Sequence, residues 1–171
     1  MSIRIPSIKK QYKKCISGPD PHMKFLMCDD IGVWYILFEN ILGDEDEYKG
    51  GQYLAKFTMP DEFPYKPPQF QILTPNGLYD IEGKVCVSIG EFHSNQYPAV
   101  LGINGFAKNL VSGWIGWKLV SVGESIGILY TDVATKRELA EISSAYNEIY
   151  YADIIAQIND NYAEYSRIWS T

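Results

Sequence analysis

The stretch "MKFLMCDDIGVWYILFEN", residues Met23–Asn40, decides the fold of this chain. It contains two mostly apolar runs, at 23–28 and 33–40, separated by Asp and Gly residues. Short runs rich in aromatic and β-branched residues and bounded by turn-forming residues are typical of β-strands. The stretch therefore predicts two strands that follow one another along the chain.

Two further runs of the same kind, at 52–59 and 69–73, continue this pattern. Four strands in series predict an antiparallel meander. After Cys86 the pattern becomes helical. Because strands come first and helices later, the expected fold class is α+β.

Two positions after Cys86 have the spacing of a capping box and so predict helix starts, at Ser121 and at Thr135. The second start leads into a long segment with an apolar stripe on one side, for which a break is expected at 159–161. The residues of this stripe are Leu139, Ile142, Ala145, Tyr146 and Ile149.

An N-terminal helix is predicted upstream of the strands, with Ser7 as its cap and Gly18-Pro19 as its stop. Its apolar positions recur at helical spacing, and they are Ile8, Tyr12, Cys15 and Ile16. Four lysines are expected on the solvent-facing side of this helix, and they are Lys9, Lys10, Lys13 and Lys14. Such a cluster is either a solvated face or a surface that docks an acidic partner.

The chain of 171 residues fits a single domain over 1–171. Its 46% hydrophobic and 14% aromatic content indicates a chain that folds. The net charge of -6 argues against non-specific nucleic-acid binding, which requires clustered positive charge. No secretory signal and no membrane-spanning run is recognisable, so a cytoplasmic location with free thiols at Cys15, Cys28 and Cys86 is expected.

Three irregular segments separate or follow these elements. The acidic loop "GDEDEYKGG" lacks the glycine and final glutamate of a calcium loop, so neither a metal ion nor another cofactor is expected. The prolines of "FPYKPP", residues 63–68, predict an extended, rigid passage. The segment 101–120 predicts a short helix at Phe106–Val111, with Trp114 and Trp117 in the core or in a covering flap.

The segment "KVCVS" places Cys86 between the predicted sheet and the helices. A free cysteine there is either an inert part of the core or a nucleophile. A cysteine hydrolase would need a histidine partner, and the chain contains only His22 and His93. His93, seven residues after Cys86, is either an ordinary loop residue or part of a site.

Four motifs in order resemble those of the ubiquitin-conjugating enzymes, and they are "YKGGQY" (48–53), "FPYKPP" (63–68), "TPNG" (74–77) and "VCVS" (85–88). The likeness is to the endoplasmic-reticulum-associated branch, in which threonine replaces the histidine of the His-Pro-Asn motif. In that branch the asparagine precedes the cysteine by ten residues, as Asn76 precedes Cys86. "SIKKQYKK", "GVWYILFENILG" and "SSAYN" extend the resemblance over most of the chain.

The resemblance implies the ubiquitin-conjugating fold, with an N-terminal helix, a four-stranded sheet and C-terminal helices. It also implies that Cys86 accepts ubiquitin as a thioester from an activating enzyme and passes it to an amine of a protein substrate. Asn76 matches the residue whose amide stabilises the oxyanion in this family. The residues are equally compatible with Asn76 holding the turn by local hydrogen bonds, with Gly77 supplying a positive φ.

Further site residues follow from the same resemblance. His93 matches a loop histidine that deprotonates or positions the attacking amine, and Asp132 or Thr131 lies where the family often has an acidic or polar gate. Two loops resemble those that receive ubiquitin ligases, and their residues are Tyr65, Pro67, Pro98 and Ala99. The first helix resembles the surface shared by ligases and the activating enzyme, and its residues there are Lys9, Lys10 and Lys13.

Three departures from the family pattern affect these expectations. Tyr97 directly precedes Pro98, whereas the family usually has tryptophan, one further residue and proline. The segment around 102–120 resembles an insertion. Members of the branch commonly end in a membrane anchor, whereas this chain ends at "YSRIWST", so endoplasmic-reticulum association is expected only if an anchor was removed.

Two other functions stay open from the sequence. The first is an inactive variant that binds ubiquitin or a ligase, which the departures favour and the intact thiol of Cys86 disfavours. The second is a cysteine hydrolase that uses Cys86 and His93 and needs no activating enzyme.

Overall fold

A computed structural model describes residues 2–85, 97–116 and 127–171 of the chain. The helices, in chain order, are α1 (Arg4–Cys15), α2 (Gly102–Gly116), α3 (Val133–Tyr150) and α4 (Ala152–Trp169). The strands are β1 (Met23–Met27), β2 (Val33–Glu39), β3 (Gln52–Thr58) and β4 (Gln69–Ile72). The predicted α+β order, with strands between an N-terminal helix and later helices, is confirmed.

The four strands form one sheet in the order β1-β2-β3-β4, and each pair of neighbours is antiparallel. The predicted meander is therefore confirmed. One row of partners crosses the whole sheet, from Phe25 to Ile36, from Ile36 to Ala55 and from Ala55 to Ile72. Because side chains alternate along a strand, this row and its second neighbours define one face of the sheet, called the inner face here.

The inner face carries the main core, which is closed by α1 and α2. Helix α2 contributes Phe106, Leu110 and Trp114, all buried, and α1 contributes Ile8 and Tyr12. The prediction that Trp114 belongs to the core is confirmed. The short helix predicted at 106–111 extends in both directions, because its apolar residues continue to Trp114.

The outer face of the sheet carries a second, smaller cluster under α4. Leu26, Leu37 and Leu54 are buried there against Ile155 and Ile158 of that helix. Helix α4 is thus docked across the sheet on the side opposite to α2. Within the described residues, no helix is both long and apolar enough to cross a membrane.

Two predicted helix starts are wrong by about one turn. Helix α1 begins at Arg4, so Ser7 lies inside the helix rather than at its cap. Helix α3 begins at Val133, because the carboxylate of Asp132 accepts a hydrogen bond from the Thr135 backbone N–H and so caps the helix before Thr135 is reached. The start predicted at Ser121 lies outside the described residues.

The apolar stripe predicted on α3 does not face the core. Its two isoleucines are exposed, Ile142 at 54% and Ile149 at 74%. The buried residues of the helix are instead Ala140, Ser143 and Asn147. Ser143 and Asn147 face the sheet because their side chains hydrogen-bond to the backbone of β3.

Two other local predictions are corrected. The chain breaks at Tyr151, between α3 and α4, and not at 159–161, where α4 continues beyond its buried Ile158. The segment 63–68 begins in turns rather than an extended passage, with Phe63 N–H donating to the Pro60 carbonyl and Tyr65 N–H to that of Glu62. These turns bury the Phe63 side chain in the core.

Candidate active site

The turn at 74–77 follows the end of β4 and lies inside the protein. Thr74 is 0% exposed and Asn76 1% exposed. Gly77 has a φ of +84°, a conformation that side chains disfavour, and an added Cβ would lie 2.8 Å from Cγ of Lys136. The predicted need for a positive φ at Gly77 is confirmed.

The side chain of Asn76 makes five hydrogen bonds. Its amide nitrogen donates to the carbonyl oxygens of Thr74 (3.0 Å) and Tyr79 (2.9 Å). Its amide oxygen accepts from the backbone N–H groups of Leu78 (3.0 Å) and Tyr79 (2.8 Å) and from Nε1 of Trp114 (3.2 Å). Both amide hydrogens are therefore engaged, so the turn-holding interpretation describes this structure.

Thr74 connects the turn to the sheet and to α3. Its hydroxyl accepts from the backbone N–H of Leu54 at 2.9 Å and donates to Oδ1 of Asn147 at 2.6 Å. Asn147 in turn donates through Nδ2 to the carbonyl of Gln52 at 2.8 Å. The hydroxyl of Ser143 accepts from the backbone N–H of Gln52, also at 2.8 Å. Helix α3 is thus docked on β3 by polar side chains.

Cys86 and His93 lie outside the described residues. Val85, the residue before Cys86, is buried and lies next to Gly127. A Cβ added at Gly127 would lie 2.7 Å from Cα of Val85. The segment after Gly127 pairs with the segment after the turn, since Leu129 N–H donates to the Leu78 carbonyl at 2.7 Å.

The two other thiols are buried or half-buried. Cys15 and Cys28 are free, as predicted. Burial raises the pKa of the Cys15 thiol and, to a smaller extent, that of Cys28. A raised pKa leaves little thiolate near neutral pH, so neither is an activated nucleophile.

Asp132 is exposed and serves as the cap of α3. Hydrogen bonds from Thr135, first from its backbone N–H, hold the pKa of this carboxyl below its usual range. Its neighbour Thr131 is close to the turn, with Cγ2 3.4 Å from a Cβ built on Gly77. Thr131 thus contacts the turn of Asn76, whereas the Asp132 carboxylate caps α3 and is ionised at neutral pH.

Two of the predicted partner-binding residues, Lys10 and Ala99, line a groove of about 280 Å³ between α1 and the segment 99–104. Its lining includes Lys10 and Lys14 of α1 and Ala99 and Val100 of the opposite wall. Val100, which the sequence did not single out, is 92% exposed. Oε1 of Gln11 accepts from the Ile103 N–H at 2.8 Å and so joins the two walls.

The remaining predicted partner residues differ in exposure. Lys9, Lys13 and Pro98 are exposed, and Tyr65 is 68% exposed. Pro67 is buried, so it offers no surface to a partner, which corrects its assignment. The turns that place Phe63 in the core also turn the end of the proline segment inward.

Sequence reasoning missed Trp114 as a partner of Asn76 and the α3 pair Ser143 and Asn147. Nothing local in the sequence indicates these contacts, because Asn147 lies 73 residues from Thr74. The one signal was the motif "SSAYN", which contains both α3 residues.

Comparison with known proteins identifies the family. Residues 7–111 match the family model described as ubiquitin-conjugating enzyme. The chain is 35% identical over 142 residues to ubiquitin-conjugating enzyme E2 J2 of Homo sapiens, a match that covers 82% of this chain and 52% of that protein. It is 29% identical over 144 residues to probable ubiquitin-conjugating enzyme E2 33 of Arabidopsis thaliana, covering 84% of this chain and 56% of that protein. The chain thus spans a little over half the length of these curated relatives.

Solved structures share the fold. Ubiquitin conjugating enzyme E2 UbcA1 from Agrocybe aegerita matches with a TM-score of 0.58 at 19% identity, over 70% of this chain and 86% of that chain. A structure titled as a novel ubiquitin-conjugating enzyme also matches with a TM-score of 0.58, at 12% identity, over 84% of this chain and 90% of that chain. The fold, the family model and the sequence relatives agree that this chain belongs to the ubiquitin-conjugating enzyme family.

Proposed function

We propose that the protein is an active ubiquitin-conjugating enzyme that carries ubiquitin on Cys86. Family membership supports this activity in general. The observation that carries the assignment to Cys86 is the intact turn of Asn76, which is held in place ten residues before that cysteine. The raised pKa values of Cys15 and Cys28 favour Cys86 over the other two thiols.

The proposed reaction has two acyl transfers. In the first, the thiolate of Cys86 attacks the carbonyl carbon of the thioester on the activating enzyme, and the thiolate of that enzyme leaves. In the second, an amine of the substrate attacks the new thioester, the carbon–sulfur bond breaks, and the nitrogen loses a proton to leave an amide. Each attack forms a tetrahedral oxyanion, which needs a hydrogen-bond donor.

Asn76 is the proposed donor, and its present bonds set a condition on that role. Both of its amide hydrogens bond to the carbonyls of Thr74 and Tyr79. Donation to an oxyanion therefore requires the amide to release one of them. Removing one oxyanion donor typically lowers a rate by about 100- to 1000-fold. Whether the Asn76 amide donates to the oxyanion therefore has an effect on the transfer rate that is large enough to measure.

His93 and Asp132 are proposed to act in the second transfer, His93 by deprotonating or orienting the amine. Asp132 supplies an ionised carboxylate. It follows Thr131 in the sequence, and Thr131 lies beside Gly77. His93→Ala is expected to slow discharge to a lysine more than it slows charging. An equal effect on both steps would remove this role.

The charging assay tests the main proposal. With activating enzyme, ubiquitin and ATP, the wild-type protein should form an adduct that a thiol reductant cleaves. Cys86→Ala should form none, and Cys86→Ser should form an ester that resists the reductant. Cys28→Ser serves as the matched control and should charge like the wild type. No adduct on the wild type would reject the proposal in favour of an inactive binding variant, and release of ubiquitin without activating enzyme would favour a hydrolase.

The groove between α1 and 99–104 is the proposed docking surface for the activating enzyme and for ubiquitin ligases. Exposed lysines on one wall and the exposed Val100 on the other support it. Val100→Asp should weaken binding of the activating enzyme. The matched control is Ile149→Asp, because Ile149 is also an exposed apolar residue but lies on α3. Equal binding by both variants would refute the assignment.

The finer placement within the family is also proposed. The spacing of the "TPNG" motif from Cys86 supports the endoplasmic-reticulum-associated branch. A cytoplasmic location of the domain follows from the proposed partners, since the activating enzyme must reach it. Fractionation of cells that express the tagged protein tests both statements, by its presence in the cytosolic fraction or in the endoplasmic-reticulum membrane fraction.

A further inference from the structure

We propose that Asn147 of α3 is a positioning residue that acts on Asn76 through Thr74. This inference rests on the proposed function, since the turn it positions is the one assigned to oxyanion stabilisation. Three hydrogen bonds carry it. Asn147 accepts from the Thr74 hydroxyl at 2.6 Å, Thr74 accepts through its carbonyl from the Asn76 amide at 3.0 Å, and Asn147 is held on β3 by the Gln52 carbonyl at 2.8 Å.

Thr74 is suited to connect the two asparagines because it is rigid. Pro75 follows it, and a residue before proline is restricted to extended conformations. A β-branched side chain is likewise restricted in χ1. The orientation of the Thr74 hydroxyl is therefore tied to that of its carbonyl, so a change at α3 moves the acceptor of the Asn76 amide.

Burial makes the connection strong. Thr74 is 0% exposed, and Asn76 and Asn147 are each 1% exposed. Water cannot replace a lost partner at such sites, so the hydrogen bonds determine the geometry. Helix α3 thereby sets how firmly the Thr74 carbonyl holds the amide that must be released for catalysis.

The two hydrogen bonds of the Thr74 hydroxyl, to Asn147 and from Leu54, assign a role to a hydroxyl at position 74. Valine has nearly the same shape as threonine, but it cannot donate to Asn147 or accept from the N–H of Leu54. Serine keeps the hydroxyl and loses only the methyl group. Thr74→Val and Thr74→Ser therefore separate the hydrogen bonds from the packing.

The kinetic test compares discharge to free lysine with charging by the activating enzyme. Thr74→Val and Asn147→Ala should each change the discharge rate by about 10-fold relative to charging, and the double variant should differ little from either single variant because they act on one connection. Thr74→Ser should restore the wild-type ratio. Ser143→Ala is the matched control, since it removes a neighbouring bond between α3 and Gln52 without touching Thr74.

A second readout needs no ubiquitin. In the uncharged protein, the side-chain amide hydrogens of Asn76, assigned by their loss in Asn76→Asp, should exchange faster with solvent in Thr74→Val and in Asn147→Ala than in Ser143→Ala. Exchange unchanged in Thr74→Val, or equally fast in Ser143→Ala, would overturn the proposal. Because this measurement does not depend on charging, it decides the coupling even if the wild type forms no thioester.

Discussion

Helices α2 and α3 both dock on the same sheet, but through opposite chemistry. The buried face of α2 is apolar and includes Phe106, Leu110 and Trp114. The buried face of α3 consists of Ala140, Ser143 and Asn147. Apolar burial is non-directional, whereas hydrogen bonds require one particular geometry. The difference indicates that α2 is held by apolar burial, while α3 is fixed in register by specific hydrogen-bond partners.

Each of the two helices contacts the turn at 74–77 through one side chain. Nε1 of Trp114 on α2 donates to the Asn76 amide oxygen, and Asn147 on α3 accepts from the hydroxyl of Thr74. The turn is thus held by one aromatic and one amide contact. Substitutions at five positions, with their control variants, test whether the two docking modes differ as described.

Trp114→Ala should have the largest effect. Trp114 is 2% exposed, stacks on Tyr53 at 5.4 Å between ring centroids and contacts Tyr79 edge to face at 4.8 Å. Its truncation is expected to lower the free energy of unfolding by about 3 to 5 kcal/mol, measured by urea denaturation. Trp114→Phe, which keeps a ring and loses the N–H, should cost clearly less. Equal losses would mean that the hydrogen bond outweighs the packing.

Asn147→Leu should be the next most destabilising. Leucine matches asparagine approximately in size, but it removes the donor to the part-buried Gln52 carbonyl and leaves the buried Thr74 hydroxyl hydrogen without its acceptor. The expected loss in the free energy of unfolding is about 2 to 3 kcal/mol. Ser144→Leu, at an exposed position of the same helix, is the control and should be near neutral. A stable Asn147→Leu protein would show that apolar docking suffices for α3 too.

Asp132→Ala should have a smaller, pH-dependent effect. The pKa of Asp132 is lowered in the folded protein, so its contribution is present above the unfolded pKa of about 3.9 and is lost as the pH falls through the folded pKa. The melting temperatures of wild type and variant should therefore differ at pH 7 and converge in acid. Asp132→Asn, which still caps the helix, separates capping from charge. If Asp132→Asn keeps the wild-type melting temperature but slows discharge, the carboxylate has the proposed gating role as well.

Ile142→Gln and Ile149→Gln should have the smallest effects, within about 0.5 kcal/mol of the wild type. Both side chains are exposed in the structure. A core position would instead lose about 2 to 5 kcal/mol on truncation. Thermal unfolding of the two variants therefore distinguishes the polar docking face of α3 from the apolar stripe that the sequence favours.

The same contrast explains which parts of the structure the sequence could predict. The strands and α2 follow from local apolar patterns, which burial selects directly. The docking of α3 depends on Gln52, which lies 91 residues from Ser143, and on Thr74, which lies 73 residues from Asn147. Local sequence patterns do not indicate such distant pairs, so apolar periodicity predicted the wrong buried face for α3.

The candidate site divides in a similar way. The turn chemistry of Asn76 and Gly77 was predictable because short-range hydrogen bonds and a positive φ are local properties. The residues allowed two interpretations of Asn76, an oxyanion donor and a residue that holds the turn. The engagement of both amide hydrogens corresponds to the second. The bond of Asn76 to Trp114 was not predictable, because the two residues lie 38 positions apart in the chain and no local pattern links them.

A connection of one residue joins α3 to α4. Tyr151 alone separates them, with its N–H bonded to the Asn147 carbonyl at 2.7 Å and its own carbonyl accepting from Ile155 at 3.0 Å. The short connection links the docking of α3 to that of α4, whose Ile155 and Ile158 cover the leucines on the outer face of the sheet. Local unfolding at Tyr151 is therefore expected to loosen α3 and α4 together.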